Sequence, residues 1–470
     1  MTNSANSPVA QPGLKRTLGL SALILYGIIL IQPTAPMPLF GAAAVAGNGH
    51  VVTAILIGMV AMLFTAISYG RMANAYPSAG SAYAYVSREI HPSLGYFVGW
   101  SIIFDYVMNP IICVIWISMA AKNIIPEIPF AMYVVAFSAL FTVMNLRAIE
   151  ASSRTNAIIA AGLGVVIVLF LGAAGRYLWL QPPDGFAGWA RPFYDPQTFS
   201  LHAVSSGAAL AVLTYIGFDG ISTLSEEAHN PRRNILLATV LVCVITGMLA
   251  SIQVYAAQLI WPGTNFPDVD TAFCYVAGKA GGRWLFQTIN FALLVATIGS
   301  GAGAQLGAGR LLYSMGRDNA IPRKFFGAVN PRTRIPSNNI ILVGIITLIG
   351  AFTVTFSLGC ELLNFGALIA FMGVNISALL HYYLRDKRKS FWNLTSPLIG
   401  FAVCAYLWWS LGRTAHIAGS IWLFTGILYG AWRTSFFRKP IQFANIDTDE
   451  GSENDEAKAR DGQKIIKNKI

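Results

Sequence analysis

Two carboxylates, Asp105 and Asp219, stand inside apolar runs of this 470-residue chain. An ionisable group at such a place is costly, so it marks a position where a cation, a proton or a pairing side chain is expected. Asp105 belongs to a stripe, Ser101, Asp105, Asn109 and Cys113, that recurs every four residues with Tyr106 and Trp116 nearby. That spacing sets the polar groups on nearly one face of a helix. The chemistry on offer is charge pairing. Asp105 is the better candidate to meet an ammonium group, with Tyr106, Tyr215 and Phe218 offering aromatic faces for cation–π contact. A carboxylate capped by neighbouring helices would also explain the stripe.

Two segments carry helix-breaking sequence in the middle of apolar runs. The first reads Gln32-Pro33-Thr34-Ala35-Pro36-Met37-Pro38, with three prolines within seven residues. Each proline lacks an N–H and crowds the preceding turn, so a continuous helix is excluded. The second reads Thr214-Tyr215-Ile216-Gly217-Phe218-Asp219-Gly220, two glycines flanking an acid and an aromatic. In hydrocarbon, irregular backbone is tolerated only where it is buried or lines a cavity. One such helix alone reads as a kinked packing element. Two, at corresponding places in two halves of a chain, point to a binding site near the midplane. The candidate site residues are therefore Gln32, Pro33, Thr34, Ala35, Asp105, Tyr106, Asn109, Tyr215, Gly217, Phe218 and Asp219, with Asp105, Asp219 and Ser300 as candidate ion-coupling groups. Gln32–Ala35 and Tyr215–Asp219 are expected to be non-helical and to face each other.

The elements that position these residues follow from composition. The chain is 55% hydrophobic and only 11% charged, against about 25% charged in ordinary soluble domains. Apolar runs long enough to cross a bilayer recur from Leu18 to Phe437 and leave no room for a separate soluble domain. They are continuously apolar rather than alternating, which excludes a β-barrel. Spans are expected near 18–46, 50–71, 94–121, 129–146, 155–179, 200–226, 234–261, 285–316, 337–357, 361–384, 391–412 and 416–437. The fold class is thus all-α and polytopic, with about twelve transmembrane helices. A leader precedes Leu18, one repeat covers about 18–179, a second about 200–384, two extra helices about 391–437, and a tail runs from 438 to 470. The acidic-then-basic tail has no apolar periodicity and reads as a solvated cytoplasmic segment.

The net charge of +11 does not call for nucleic acid. Arginine and lysine concentrate in alternate loops, among them Arg71, Arg88, Arg147, Arg232, Arg233, Arg323, Lys324, Arg385 and Lys389. This is the positive-inside pattern, and it places both termini in the cytoplasm, with membrane lipid as the surrounding partner. The six histidines are scattered without metal-ligand spacing, and no phosphate-binding glycine loop occurs, so neither a metal, a cofactor nor enzyme chemistry is expected. Energy must then come from a gradient or from exchange. A transporter-like sensor would need an output domain that the short tail does not provide. Cys274 and Cys360 fall on the outer side without a spacing motif, and no disulfide is expected. The glycines of the eighth span, Gly299, Gly303 and Gly307, read as close packing, and Asn364 and Asn375 as hydrogen bonds between helices.

Several stretches resemble the amino acid–polyamine–organocation superfamily. They are Gly217-Phe218-Asp219-Gly220 followed by Ser225-Glu226-Glu227 and Asn230-Pro231-Arg232-Arg233, Tyr76 to Tyr83 leading to Gly99-Trp100, Arg310 to Asp318, and Asn364-Phe365-Gly366-Ala367-Leu368. Within it the chain is similar to bacterial putrescine importers through Gly49-His50-Val51, Leu63 to Gly70, Asp105-Tyr106 and Met315 to Asn319. The resemblance implies two inverted five-helix repeats plus two extra helices (LeuT-like), alternating access, and substrate held between the broken first and sixth helices and the third, eighth and tenth. It implies a bacterial inner-membrane importer of a small organic amine or amino acid, putrescine or a related polyamine first, with a neutral amino acid permease or exchanger as the alternative. The coupling ion is expected to be a proton, with sodium as the alternative. Asp219 recurs across neutral and cationic substrates in the superfamily, which implies a structural or gating role. The chain departs from these patterns in two places: Pro38 stands where the importers carry an aspartate, and Gln32-Pro33-Thr34-Ala35 replaces the superfamily's glycine-rich break.

Overall fold

The computed structural model describes residues 18–76, 81–147, 153–225, 228–317, 321–330, 335–386 and 389–433. The leader and the 438–470 tail lie outside the described residues. Within the described residues the chain is helical throughout, and the one extended pairing is an isolated bridge between Leu18 and Ala228.

Among the described residues sixteen α-helices follow in order. They are α1 Leu20–Ile31, α2 Pro36–Ala46, α3 Val51–Ala75, α4 Ser81–Glu89, α5 Pro92–Ile124, α6 Phe130–Leu146, α7 Ser153–Leu180 and α8 Gly185–Ala190. Then come α9 Leu201–Ala211, α10 Pro231–Ile260, α11 Ala272–Arg317, α12 Arg323–Phe326, α13 Ser337–Thr353, α14 Phe356–Leu379, α15 Phe391–Trp409 and α16 Arg413–Arg433. Short 3-10 helices at Val212–Tyr215 and Phe218–Leu224 follow α9, and a π turn, Leu380–Arg385, ends α14.

Among the described residues eight helices are long and apolar enough to cross a membrane, or nine when the bent pair α1–α2 counts as one span. Helices α6 and α13 are shorter apolar helices, and α16 lies where the last span is expected. Large side chains that a soluble protein would hide lie open on these helices, among them Ile158 at 65%, Val168 at 69% and Phe424 at 60% exposure. Apolar surface of that extent needs hydrocarbon around it. Helix α11 begins earlier than the 285–316 reading, because it is two helices joined across Gly282, where φ is 77° and the direction changes. All five cysteines are buried free thiols.

The chain divides into two compact units. One comprises Met1–Ser81, Thr155–Phe286 and Phe371–Ser410, and the other Ala82–Arg154, Gln287–Ala370 and Leu411–Ile470. In the first unit α3 lies along α10, and α1, α2 and α9 pack on those two helices. Glycines set the spacing. A Cβ on Gly70 would lie 2.6 Å from the Leu236 backbone, so α3 and α10 meet at main-chain distance. In the second unit α5 packs against α6, α13 and α16. Its core joins Tyr96, Ile103 and Val107 of α5 to Ala308, Met315 and Val343. Trp100 and Trp422 stack at 4.9 Å, and each indole N–H donates to the other residue's carbonyl at 3.0 Å.

Candidate functional site

The first unit contains both helix breaks. Helix α1 stops at Gln32, a non-glycine residue held at φ 67°, whose N–H still donates to the Ile28 carbonyl at 3.0 Å. Pro33 then has no N–H to give, so the Ile29 carbonyl loses its normal i+4 donor. The Ala35 N–H turns back to the Gln32 carbonyl at 3.0 Å, and the Met37 N–H takes the Thr34 carbonyl at 2.9 Å. The chain re-enters helix at Pro36 with a bend of 55°. Proline is pre-set for the first helical position, which is why α2 starts there. Gln32–Ala35 is non-helical, as its sequence predicts.

The sixth span breaks differently. After α9 the chain tightens to a 3-10 turn ending at Tyr215, Ile216 is extended, Gly217 takes φ 122°, and a second 3-10 helix starts at Phe218. The irregular stretch is therefore narrower than Tyr215–Asp219, because 3-10 bonds recover most of the backbone pairing on each side. The two breaks meet at Gly217, where a Cβ would lie 3.3 to 3.4 Å from Ile31 and the Leu30 main chain. A side chain there would have both an unfavourable φ and little room.

Three side chains shape this region. The Asp219 carboxylate folds back on its own helix start and accepts from the Gly217 N–H at 3.3 Å, with the Asp219 and Gly220 amides also directed to it. Tyr215 is fully buried and donates its hydroxyl to the Ile55 carbonyl at 2.8 Å. Phe218 is fully buried as well, in edge-on contact with Tyr69 and tilted against Phe371, each at 5.5 Å. Both rings are thus engaged in packing within the unit. Gln253 of α10, fully buried, donates its Nε2 to the carbonyls of Pro33 and Leu249, both at 3.0 Å. Its Oε1 is buried without a hydrogen-bond partner. No period or motif singles out one glutamine in an apolar helix, and its partner lies 220 residues away, so the sequence did not reveal it.

The second unit carries the α5 stripe. Ser101 donates to the Phe97 carbonyl within its own helix at 2.9 Å. Asp105 and Asn109 are half-buried, while Tyr106 is 40% exposed. Helix α14 approaches the stripe at Gly366, where a Cβ would sit 2.4 Å from the Ser101 carbonyl and 3.4 Å from the Asp105 amide. The Cys113 thiol donates to Asn109 Oδ1 at 3.4 Å, and Ser300 of α11 lies in hydrogen-bond reach of that thiol. The stripe and the candidate ion residue Ser300 are therefore neighbours. Pro110 interrupts the ladder of α5 beside the stripe without ending the helix.

The α11 glycines do not act as one packing seam. Gly307 lies against the Tyr106 ring and Gly301 against Phe141 and Cys113, but Gly299 and Gly303 meet nothing within 4 Å. Asn375 does bond between helices, from Nδ2 to Thr65 Oγ1 at 3.1 Å. Among the described residues no group of three His, Cys, Asp or Glu side chains could hold a metal ion.

The sequence model of the amino acid permease family matches residues 36–437. The chain belongs to the amino acid permease family. The permease is 35% identical over 453 residues to the low-affinity putrescine importer PlaP of Escherichia coli K12, covering 94% of this chain and 98% of that protein. It is 26% identical over 454 residues to the branched-chain amino acid permease BcaP of Bacillus subtilis, covering 89% and 93%. It is 27% identical over 400 residues to the vacuolar cationic amino acid transporter 4 of Arabidopsis thaliana, covering 79% of this chain and 62% of that one. The permease is a multi-pass membrane transporter of the amino acid–polyamine–organocation superfamily and not an enzyme.

Proposed function

We propose that this permease imports a small organic amine, putrescine or a related polyamine, across the bacterial inner membrane by alternating access. Both termini are cytoplasmic in this reading, and the topology has twelve spans. The observation that carries it is the likeness to PlaP, 35% identical over 94% of the chain, a protein named for putrescine import. The geometry supports it in both units. The first unit presents two broken helices that touch at Gly217, the arrangement in which half-helix ends offer partial charge to a substrate. In that reading Gln32 to Ala35 and Gly217 contact the substrate. Asp105 pairs with its ammonium group, and Tyr106, the exposed ring beside it, adds a cation–π face. Asn109 and Ser300 complete the polar surroundings of the stripe.

The driving force in this reading is a proton gradient, carried by Asp105 or Asp219, with sodium as the alternative ion. A diamine also gains about 2.3 kcal/mol per charge for each 100 mV of inside-negative potential. A neutral amino acid permease is the second reading, favoured by the likeness to BcaP. Uptake of radiolabelled putrescine and leucine into proteoliposomes separates the two. Imposing pH and sodium gradients separately, with the membrane potential clamped, identifies the ion. Putrescine uptake that follows the pH gradient is expected. Leucine uptake without putrescine uptake would replace the amine reading, and uptake that follows sodium alone would replace the proton.

A further inference from the structure

Backbone amides at a helix break are the groups that bind a carboxylate. Of the seven residues from Gln32 to Pro38, Pro33, Pro36 and Pro38 have no N–H at all. The N–H groups of Gln32, Ala35 and Met37 are consumed by the carbonyls of Ile28, Gln32 and Thr34. Thr34 keeps the segment's remaining amide. A helix normally leaves its first N–H groups unsatisfied and ready for an anion. Here the first and third positions of α2 are proline and the second is spent. At the other break the Gly217 N–H donates to the chain's own Asp219 carboxylate at 3.3 Å, the Asp219 and Gly220 amides are directed to the same carboxylate, and the Gly220 N–H also donates to the Gly217 carbonyl at 3.1 Å. Both breaks have lost most of their anion-binding donors, one chiefly through proline's missing N–H and the other chiefly to an internal carboxylate.

Acceptors are in surplus at the same place. The Ile29 carbonyl faces a proline where its donor would be, and the Ala35 amide that would serve Ile31 is diverted to Gln32. These carbonyls form the negative end of α1. Gln253 adds another acceptor. Two carbonyls, Pro33 and Leu249, sit at 3.0 Å from its amide, and only an NH2 group can serve both. The orientation of the amide is thereby fixed, and Oε1, on the same planar group that holds Pro33, is a buried acceptor without a partner.

We propose that the paired breaks form an acceptor-lined subsite that takes ammonium groups and excludes carboxylates, with Gln253 as a specificity-determining residue. The permease then handles amines lacking an α-carboxylate and rejects the amino acids from which they differ by that group alone. The inference rests on the amine-transport reading and sharpens it: the same positive charges are accepted on one molecule and refused on another. Pro36 and Pro38 occupy helix positions whose N–H groups serve no intrahelical bond. Alanine at both sites therefore restores two donors without breaking an existing hydrogen bond.

The test is competition against labelled putrescine, by binding to the purified full chain and by uptake into proteoliposomes, with ornithine as the competitor that adds one carboxylate. The wild type is expected to bind ornithine about a hundredfold more weakly than putrescine, since charged hydrogen bonds are lost and buried acceptors face an anion. Pro36→Ala/Pro38→Ala is expected to gain about tenfold for ornithine, one charged hydrogen bond's worth, with putrescine nearly unchanged. Gln253→Leu is expected to raise the KM for putrescine about tenfold by removing the Oε1 acceptor, with kcat little changed. Equal competition by ornithine and putrescine in the wild type overturns the inference while leaving amine transport standing, and needs no variant to fold. A double alanine variant that keeps putrescine uptake and gains nothing for ornithine also overturns it. So does an unchanged KM in Gln253→Leu. A wild type that takes up neither compound instead defeats the amine-transport reading itself.

Discussion

In the unit built on α1, α2, α9 and α10, the two helix breaks release main-chain polar atoms into the apolar interior. In the unit built on α5, α6, α11 and α13, buried side-chain amides join neighbouring helices. There Asn145 Nδ2 donates to the Ala302 carbonyl at 3.0 Å and to Gln305 Oε1 at 3.2 Å. Gln305 Nε2 donates in turn to Thr142 Oγ1 at 2.9 Å and to the Ile340 carbonyl at 3.2 Å. One chain of amides thus pins α6, α11 and α13 in a single register. A fully satisfied buried network rigidifies the helices it joins. A broken helix with surplus acceptors does the reverse: it leaves groups that only a ligand or a rearrangement can serve. In the proposed reading the first unit supplies main-chain contacts at its breaks, and the second supplies a rigid frame and the Asp105 charge.

The largest test of that division is Asp105→Asn. The substitution keeps the shape and removes the charge proposed to pair with an ammonium group. Losing one partner of such a pair costs about 2–5 kcal/mol, so putrescine uptake should fall about thirtyfold or more with the melting temperature nearly unchanged. Unchanged uptake would make Asp105 part of the frame alone.

Gly217→Val comes next. Gly217 combines φ 122° with Ile31 and Leu30 at 3.3 to 3.4 Å from a Cβ, so both strain and clash fall on the contact between the breaks. Backbone strain of this kind costs about 1–3 kcal/mol. Uptake should fall about tenfold and the melting temperature should drop together. Wild-type values for both would show that the breaks do not need to touch.

Gln305→Leu sharpens the contrast from the other side. It strands Asn145 and Thr142, at about 1–3 kcal/mol of stability. Thermal melting should drop by a few degrees, while the KM for putrescine stays at its wild-type value. A change in KM with no loss of stability would place Gln305 among the ligand-contacting groups.

The breaks were legible in the sequence because proline and glycine announce themselves: the covalent lack of an N–H at Pro33 and the freedom of Gly217 are properties of single residues. The α5 stripe was legible because its four-residue period is a property of one helix. What sequence could not supply was direction. Tyr215 and Phe218 sit beside a break, yet both rings turn into the packing of the first unit, one onto the Ile55 carbonyl and the other between Tyr69 and Phe371. Gly299, Gly303 and Gly307 share a spacing, yet only Gly307 meets a neighbour. Gln253 and Gln305 act through partners remote in sequence, and a glutamine in an apolar run looks the same whether it holds a helix break or a frame.

The smallest expected effect lies outside the spans, in the loop between α10 and α11, and it tests whether the first unit's outer surface titrates. The Val269 carbonyl closes on α2 at Gly41, where a Cβ would come within 1.9 Å, so this loop is docked on the half-helix that follows the first break. Asp268 Oδ1 accepts the Asp270 and Thr271 amides at 2.8 and 3.2 Å, which fixes its charge next to Asp270. Burial first, and the Asp268 charge second, raise the Asp270 carboxyl from 3.8 to about 6. A raised pKa means that the folded loop holds the proton more tightly than the unfolded chain does. The stabilisation is therefore fully present below the unfolded value of 3.8 and is lost as pH rises through about 6. Asp270→Asn removes this titration and carries no charge to bury. Relative to the wild type, the variant should gain a degree or two in melting temperature at about pH 7.5 and little or nothing at about pH 4.5. Equal differences at both pH values would mean that Asp270 is as well solvated in the folded loop as in the unfolded chain, and that docking against Gly41 does not depend on its charge.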